Sequence, residues 1–170
     1  MRKLLLIADD FTGALDTSVR FAEGSALGTV ALIQYPFEGR LPQGVSVFVV
    51  NTDTRHLEAK AAYNRVMETA LRGIDGGIDL IYKKTDSTLR GNIGAELAAV
   101  LDAVLKSRAG LKGVREVSLP EGSANAGSSD GPLLFFAPAM PDMGRVTKDG
   151  KQYVSEVPLH KTEFAFDPLN

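Results

Sequence analysis

Short, continuous apolar runs recur along the chain and alternate with stretches that carry apolar residues at helical spacing. Runs of this kind, bounded by polar turns, are typical of strands buried on both faces of a parallel sheet. The pattern predicts strands over residues 3–8, 29–34, 46–50, 78–83 and 133–137, and helices over 13–23, 57–72 and 93–105. Because strand–helix alternation favours right-handed crossovers, we expect an α/β fold: a three-layer α/β/α, Rossmann-like domain with a mostly parallel sheet.

Two segments depart from this alternation. Residues 107–131 are rich in Gly, Ser and other small residues, which predicts a flexible insertion loop. Within residues 144–158, Asp149-Gly150 lies between two β-prone stretches, which is typical of a hairpin turn. We therefore expect a small C-terminal β-hairpin beside the main sheet.

Composition excludes several classes of protein. The 170 residues, 44% of them hydrophobic, suffice for one well-buried domain and are few for two. The formal net charge is −2, and no basic stripe or polybasic run indicates a nucleic-acid or membrane partner. Cysteine is absent, which excludes disulfides and thiolate metal sites. The N-terminal apolar run is too short for a signal peptide, and no segment approaches the ~20 apolar residues of a membrane span, so we expect a soluble, cytoplasmic protein.

Polar residues follow three of the predicted strands at the point where each strand ends. In an open parallel sheet, ligands bind beyond the carboxyl ends of the strands. The candidates are Asp9, Asp10 and Thr12 after the first strand, Asp53 and Arg55 after the third, and Lys84, Asp86, Ser87, Arg90, Gly91 and Asn92 after the fourth. Carboxylates suit the hydroxyls of a sugar, whereas Arg and Lys suit a carboxylate or phosphate. Together they indicate a site for a small polyhydroxylated acid.

Simpler roles are open for several of these residues. Asp10 or Thr12 belongs to the residue types that favour the N-cap of the first helix. Asp53 or Thr54 is placed equally well to cap the second. One cap explains one residue of each pair, so it does not account for two adjacent acids after a single strand.

A role in the binding site is better supported for the segment around Asp86 than for Arg55. Arg55 has a simpler partner in Glu58, with which it could form a surface ion pair of little energetic value. The segment 86–92, DSTLRGN, needs only one of its first three residues for capping. Gly91-Asn92 then permits close backbone approach at a helix start, which suits an anion. We therefore favour a site role for this segment.

Five segments, in order, resemble the four-carbon acid sugar kinase family: LIADDFTGALDT, VVNTDTRH, IYKKTDSTLRGNIGAE, APAMPDMGRVTKDG and VPLHKTEFAFDP. The resemblance covers nearly the whole chain except residues 107–131. It implies an ATP-dependent kinase acting on a sugar acid such as threonate, erythronate or a 2-oxo relative. Residues 1–170 resemble the family's N-terminal, sugar-acid-binding domain. The C-terminal nucleotide-binding domain, which would bind ATP and Mg²⁺, is missing from the chain, so we expect this fragment alone to be inactive.

The resemblance places the strand-end residues at the sugar-acid site, and the chemistry of each side chain then predicts its role. Arg55 and Arg90 would bind the substrate carboxylate or steady the phosphoryl group, while Asp9 and Asp53 would accept hydrogen bonds from hydroxyls. Asp86 is the first choice for the base that orients the attacking hydroxyl, and Asp10 is the second. The remaining substrate-binding residues are Thr12, Lys84, Ser87, Gly91 and Asn92. We expect no metal ligands in this chain. The expected partners are the sugar acid and the C-terminal domain, with a homodimer left open.

Two alternatives to a kinase domain remain at this point. A stand-alone sugar-acid-binding module would show the same binding residues without turnover. A Mg²⁺-dependent phosphatase of the haloacid dehalogenase type also places acids after its first strand, but it requires Asp-x-Asp. Here Phe11 stands two positions after Asp9, and the adjacent side chains of Asp9 and Asp10 diverge, which disfavours that class.

Overall fold

The computed structural model describes residues 2–23, 29–108 and 134–168. Its elements are, in order, β1 (Leu4–Ala8), α1 (Phe11–Glu23), β2 (Thr29–Gln34), β3 (Val45–Asn51), α2 (Ala59–Asp75), β4 (Leu80–Lys84), α3 (Ile93–Arg108), β5 (Arg145–Lys148), β6 (Lys151–Val154) and β7 (Val157–Pro158), with 3₁₀ turns at Pro141–Met143, Leu159–Lys161 and Glu163–Phe166. The first four predicted strands and the three predicted helices are confirmed. The predicted insertion loop over 107–131 lies outside the described residues, apart from its first two residues, which end α3.

The main sheet brings three strand ends together. Its order is β2-β3-β1-β4, and every pair of neighbouring strands is parallel. In the register of the sheet, Ala8 pairs with Asn51 of β3 and with Lys84 of β4. Since the three strands end at the same level, the residues that follow them lie at one edge of the sheet. The α/β class with a mostly parallel sheet is confirmed.

Side-chain alternation along β1 explains why its sequence is apolar without interruption. Leu5 and Ile7 pack into a core shared with α2 and α3, whereas Leu4, Leu6 and Ala8 pack on the opposite face with Ala14 of α1. All five residues of β1 are buried. Helices therefore cover both faces of the sheet, as the three-layer prediction requires. Among the described helices, none is long and apolar enough to cross a membrane.

The predicted strand over 133–137 is wrong for the residues that the structure describes. Residues 134–137 form no strand and are exposed, with Phe135 83% exposed. Within the described residues this segment pairs with no strand, and a backbone forms a strand only when a neighbouring strand takes up its hydrogen bonds. β4 consequently forms one edge of the described sheet and exposes Leu80 and Tyr82.

The predicted C-terminal hairpin is confirmed. β5 and β6 pair antiparallel, from Arg145 opposite Val154 to Lys148 opposite Lys151. The turn residues Asp149 and Gly150 both have positive φ, of 49° and 73°, as a two-residue hairpin turn of type I′ requires. β7 adds a third, short antiparallel strand.

A buried ion pair joins β4 to the first turn of α3. Lys83 Nζ lies 2.6 Å from Glu96 Oε2, and the two side chains are only 3% and 2% exposed. Lys83 Nζ also donates to the carbonyl of Lys84, at 2.7 Å. Removing one member of such a pair leaves an uncompensated charge in a low-dielectric interior. The pair thus fixes α3 against the strand that leads to residues 85–92.

Glu96→Gln is therefore expected to lower the free energy of unfolding by about 3–5 kcal/mol, as measured by urea denaturation. The matched control is Glu38→Gln, because Glu38 forms only an exposed ion pair with Arg40. That control is expected to change stability by less than about 1 kcal/mol. Equal, small effects of the two substitutions would contradict the structural weight given to the buried pair.

Candidate functional site

The two adjacent carboxylates after β1 have distinct partners. Asp10 caps α1, because its Oδ1 accepts a hydrogen bond from the backbone N of Gly13 at 2.9 Å. Its Oδ2 accepts a second one from Arg55 Nη1 at 2.7 Å. The capping role is thus real for Asp10, and the same carboxylate also contributes to a charge cluster. Thr12 is exposed in the first turn of α1.

Glycine is required at position 13 by the crowding of this cluster. A Cβ at Gly13 would lie 2.7 Å from Asp10 Oδ1 and 3.6 Å from Lys84 Nζ. A side chain there would force the capping carboxylate to move. Gly13 therefore allows the start of α1, the carboxylate of Asp10 and the side chain of Lys84 to lie close together.

Arg55 compensates the adjacent acids. Its Nε lies 2.7 Å from Asp9 Oδ2, its Nη1 2.7 Å from Asp10 Oδ2, and its Nη2 3.8 Å from Asp86 Oδ1. The side chain is only 10% exposed. Burial lowers the pKa of Arg55, but the hydrogen bond and charge of Asp9 outweigh it and raise that pKa above its ordinary value. The surface pair with Glu58 that the sequence left open is wrong.

Backbone contacts hold the loop after β3 in place for this pairing. The backbone N atoms of Thr54 and Arg55 both donate to the carbonyl of Asp9, at 2.9 and 3.2 Å. On the other side of Arg55 lies Gly91, whose φ is +87° and where a Cβ would be 3.1 Å from Arg55 Cγ. Gly91 therefore serves both a left-handed backbone and close packing on the guanidinium stem.

Asp86 is the centre of the loop after β4. Its Oδ2 accepts hydrogen bonds from the Thr88 hydroxyl and from Arg90 Nε, the latter at 2.8 Å, while Arg90 Nη2 lies 3.1 Å from its Oδ1. The backbone N atoms of Thr88 and Arg90 also donate to Oδ2. Burial alone would raise the pKa of Asp86, but the hydrogen bonds from Arg90 and Thr88 and the charge of Arg55 hold it well below its usual range.

Arg90 is paired with a different acid on each edge of its guanidinium group. Its Nε and Nη2 contact Asp86, whereas its Nη1 lies 3.6 Å from Asp167 Oδ2. The Arg90 side chain is 29% exposed. Asp167 was not among the sequence candidates, because it follows a 3₁₀ turn rather than a strand. The one signal for it was its place in the motif VPLHKTEFAFDP.

Lys84 and Asp9 supply the remaining polar atoms of the site. Lys84 Nζ donates to the carbonyl of Thr85 at 2.6 Å, and burial lowers its pKa against the opposing charges of Asp9, Asp86 and Asp10. Asp9 is 3% exposed, and its Oδ1 has no hydrogen-bond partner within the described ranges. An orphaned, buried carboxylate oxygen is costly unless a ligand satisfies it.

Two predicted residues act through structural contacts of the loops. Asn92 Nδ2 donates to the carbonyls of Thr54 and Leu57, at 3.1 and 2.7 Å, so it ties the start of α3 to the loop after β3. The carbonyl of Ser87 accepts a hydrogen bond from Gln152 Nε2 at 2.8 Å, which docks the hairpin onto the same region.

Asp53 is a sequence candidate that forms none of the ion pairs of the charge cluster described above. It has φ of +49° and is exposed, although it follows the same strand as Arg55. Neither Asp53 nor Thr54 caps α2, because that helix begins at Ala59 after Glu58. The structure thus joins six charged candidates in one cluster: Asp9, Asp10, Arg55, Lys84, Asp86 and Arg90.

The chain is similar in sequence to proteins named as kinases of four-carbon sugar acids. The chain is 36% identical to D-threonate kinase of Salmonella typhimurium over 98% of its own length and 33% of that protein. It is 33% identical to D-erythronate kinase of Heliobacterium modesticaldum over 99% of its length and 33% of that protein. The chain thus spans about a third of the length of these relatives.

A solved structure agrees in fold. It is a Bordetella bronchiseptica protein described as a domain of unknown function with bound citrate, in a domain-swapped dimer. The two chains superimpose with a TM-score of 0.71 at 27% identity, over 99% of this chain and 37% of that one. The family described as the sugar-binding N-terminal domain matches residues 4–170. The chain therefore belongs to the sugar-binding N-terminal domains of the four-carbon acid sugar kinases, as its five motifs predicted.

Proposed function

We propose that this chain is the substrate-binding domain of an ATP-dependent kinase that phosphorylates a four-carbon sugar acid, either threonate, erythronate or an oxo relative. The names of the two kinase relatives support the reaction class and the substrate class. The observation that carries the proposal is the polar cluster at the strand ends. It presents an orphaned carboxylate oxygen, a half-buried lysine and the partly exposed guanidinium of Arg90 within a single set of loops.

These three groups match the two ends of a sugar acid. Asp9 Oδ1 accepts a hydrogen bond from a substrate hydroxyl, which satisfies its missing partner. The outer edge of Arg90 binds the substrate carboxylate, and Lys84 adds a second positive charge. Arg55 is already engaged by three carboxylates, so its contribution is to hold the acids in place rather than to bind the substrate. Citrate, bound in the Bordetella relative, is also a hydroxy acid.

The cluster also bears on the choice of catalytic base. Both oxygens of Asp86 receive hydrogen bonds and its pKa is lowered, so it is a weak proton acceptor and acts mainly by positioning Arg90. Asp10 is engaged through both oxygens as well. Asp9, with one oxygen unengaged, is best placed to orient the attacking hydroxyl. Phosphoryl transfer depends chiefly on alignment and charge neutralisation, so a strong base is not required.

The residues described here do not fit ATP with Mg²⁺. The three acids at the strand ends are already paired with Arg55 and Arg90, and no group of three or more His, Asp or Glu within the described ranges is arranged to hold a metal ion. We propose that the nucleotide and its metal ion bind to a C-terminal domain, because the two kinase relatives are about three times as long as this chain. A dehalogenase-type phosphatase is also disfavoured, since the Arg55 guanidinium occupies the position between the acids that such an enzyme would give to its metal ion.

Calorimetric titration of the 170-residue chain tests the proposal. D-threonate and D-erythronate are expected to bind with a Kd on the order of 1 mM or tighter, equivalent to about −4 kcal/mol or more. The matched controls are threitol and erythritol, which keep the hydroxyls but lack the carboxylate, and butyrate, which lacks the hydroxyls. Absence of heat with every sugar acid, or equal binding of threitol, would contradict the proposal.

A further inference from the structure

We propose that Lys83, held by its buried pair with Glu96, is a positioning residue of the sugar-acid site. It fixes the point where β4 leaves the sheet, so that Lys84 and Asp86 keep their places when the ligand binds. The inference rests on the proposed function. It gives a role in acid binding to a buried ion pair that lies across the sheet from the charge cluster.

Two adjacent lysines hold the exit of β4 from opposite faces of the sheet. Lys83 lies beside Ile7 in the register, and Ile7 packs on the face covered by α2 and α3. Lys84 is the next residue, so its side chain lies on the face of α1. Lys83 Nζ donates to the carbonyl of Lys84 at 2.7 Å, and Lys84 Nζ donates to the carbonyl of Thr85 at 2.6 Å. Two successive carbonyl groups just before Asp86 are thus each held by an ammonium group.

The two lysines differ in their access to a ligand. Lys83 and Glu96 are both almost fully buried, and their charged atoms lie 2.6 Å apart. Lys84 is half-buried at the edge where the cluster lies. A sugar acid that binds Lys84 takes its ammonium group away from the carbonyl of Thr85. The bond from Lys83 then remains to hold the end of the strand.

Glu96 connects this strand end to a second loop of the site. Its backbone N donates to the carbonyl of Asn92 at 2.9 Å, in the first turn of α3. The side chain of Asn92 donates in turn to the carbonyls of Thr54 and Leu57. The buried pair therefore links the exit of β4, through the start of α3, to the loop that carries Arg55.

Stability of the core alone does not explain an ion pair at this place. Desolvation of two charges offsets much of their attraction, and apolar residues of similar volume are often at least as stabilising. Glu96 Oε1 also has no hydrogen-bond partner among the described residues. What an apolar side chain cannot provide is the directional hydrogen bond to the carbonyl of Lys84. The retained charge therefore points to a requirement at the strand end rather than in the core.

Calorimetry of the double variant Lys83→Met/Glu96→Leu with D-threonate and D-erythronate separates positioning from stability. The variant fills the core without charge, so its melting temperature is expected to equal or exceed that of the wild type. Its affinity for the acid that the wild type binds is expected to fall about tenfold, since a misplacement of about 1 Å can cost up to about a hundredfold. In the free variant, heteronuclear ¹H–¹⁵N NOE values of residues 85–92 are expected to fall, because the loop has lost an anchor.

Tyr63→Phe is the matched control. It removes a hydrogen bond of 2.6 Å between α2 and Asp102 of α3, nearly two turns further along that helix than Glu96. It loosens the same helix without touching the exit of β4, so acid affinity and the NOE values of residues 85–92 should stay at the wild-type level.

Unchanged affinity of the folded double variant, or an equal loss of affinity in Tyr63→Phe, would overturn the positioning role and leave the proposed function standing. Loss of affinity with unchanged NOE values at residues 85–92 would overturn it too. A double variant without a cooperative melting transition would do the same, because the pair would then serve the fold itself. If the wild type binds neither acid, both the proposed function and this inference fall.

Discussion

Arg55→Ala is expected to lower the free energy of unfolding by about 3–5 kcal/mol, because it leaves three carboxylates without their shared cation. Asp9 and Asp10 are each 2.7 Å from the guanidinium, and the Arg55 side chain is almost fully buried. Water cannot replace the lost charge in such a position as it does at the surface. Urea denaturation at pH 7 measures the effect. Arg40→Ala is the matched control, because Arg40 forms only an exposed pair with Glu38.

The difference in free energy of unfolding between the wild type and Arg55→Ala should also depend on pH, which gives a second test of the role of Arg55. In the wild type, the lowered pKa of Asp86 contributes stability that is present above its unfolded pKa of about 4 and is lost as pH falls toward its folded pKa. In the variant, the charge of Arg55 no longer lowers the pKa of Asp86, so less of this pH-dependent stability remains to be lost. The stability gap between the two proteins should therefore narrow as pH falls from 7 toward 3. A gap that stays constant with pH, or one no larger than that of Arg40→Ala, would contradict the role of Arg55.

Arg90→Ala is expected to weaken sugar-acid binding about a hundredfold, equivalent to about 2.7 kcal/mol. The substitution removes a partly exposed guanidinium, and no other group in the cluster offers a comparable fork that a ligand can approach from solvent. Calorimetry with D-threonate measures the loss. Arg90→Lys, which keeps the charge but not the fork, should give an intermediate affinity.

The matched control for this prediction is Arg72→Ala. Arg72 pairs with Glu68 on the exposed face of α2, at 2.8 Å and one helical turn apart. Its removal should cost stability by no more than about 0.5 kcal/mol and leave acid binding unchanged. Equal effects of the two arginine substitutions on affinity would defeat the assignment of the site, provided that both variants retain a cooperative melting transition.

Much of the scaffold could be predicted because its signals are local. The run over β1 is apolar throughout because both faces of that strand are covered, and Asp149-Gly150 matches a turn that needs positive φ. The placement of acids and cations at one edge follows from parallel strands alone. The apolar run at 134–137 misled the prediction, because apolar composition does not tell whether a segment will pair with a neighbouring strand.

The partners within the site could not be read from the sequence. Arg55 has an acid three residues away in Glu58, yet it pairs with Asp9 and Asp10, which only the sheet register brings close. Asp53 follows the same strand as Arg55, but its backbone is left-handed and its side chain is exposed, and neither feature can be read from the sequence. Asp167 reaches Arg90 through tertiary folding, for which no periodic pattern exists.

The central claim is that the loops after β1, β3 and β4 form one binding site for a sugar acid. An NMR titration of the ¹⁵N-labelled chain with D-threonate tests it most directly. Backbone amides in residues 9–13, 52–55 and 85–92 are expected to shift together and to saturate with a single Kd. Shifts confined to one of these loops, or located on another part of the chain while the acid binds, would contradict the account.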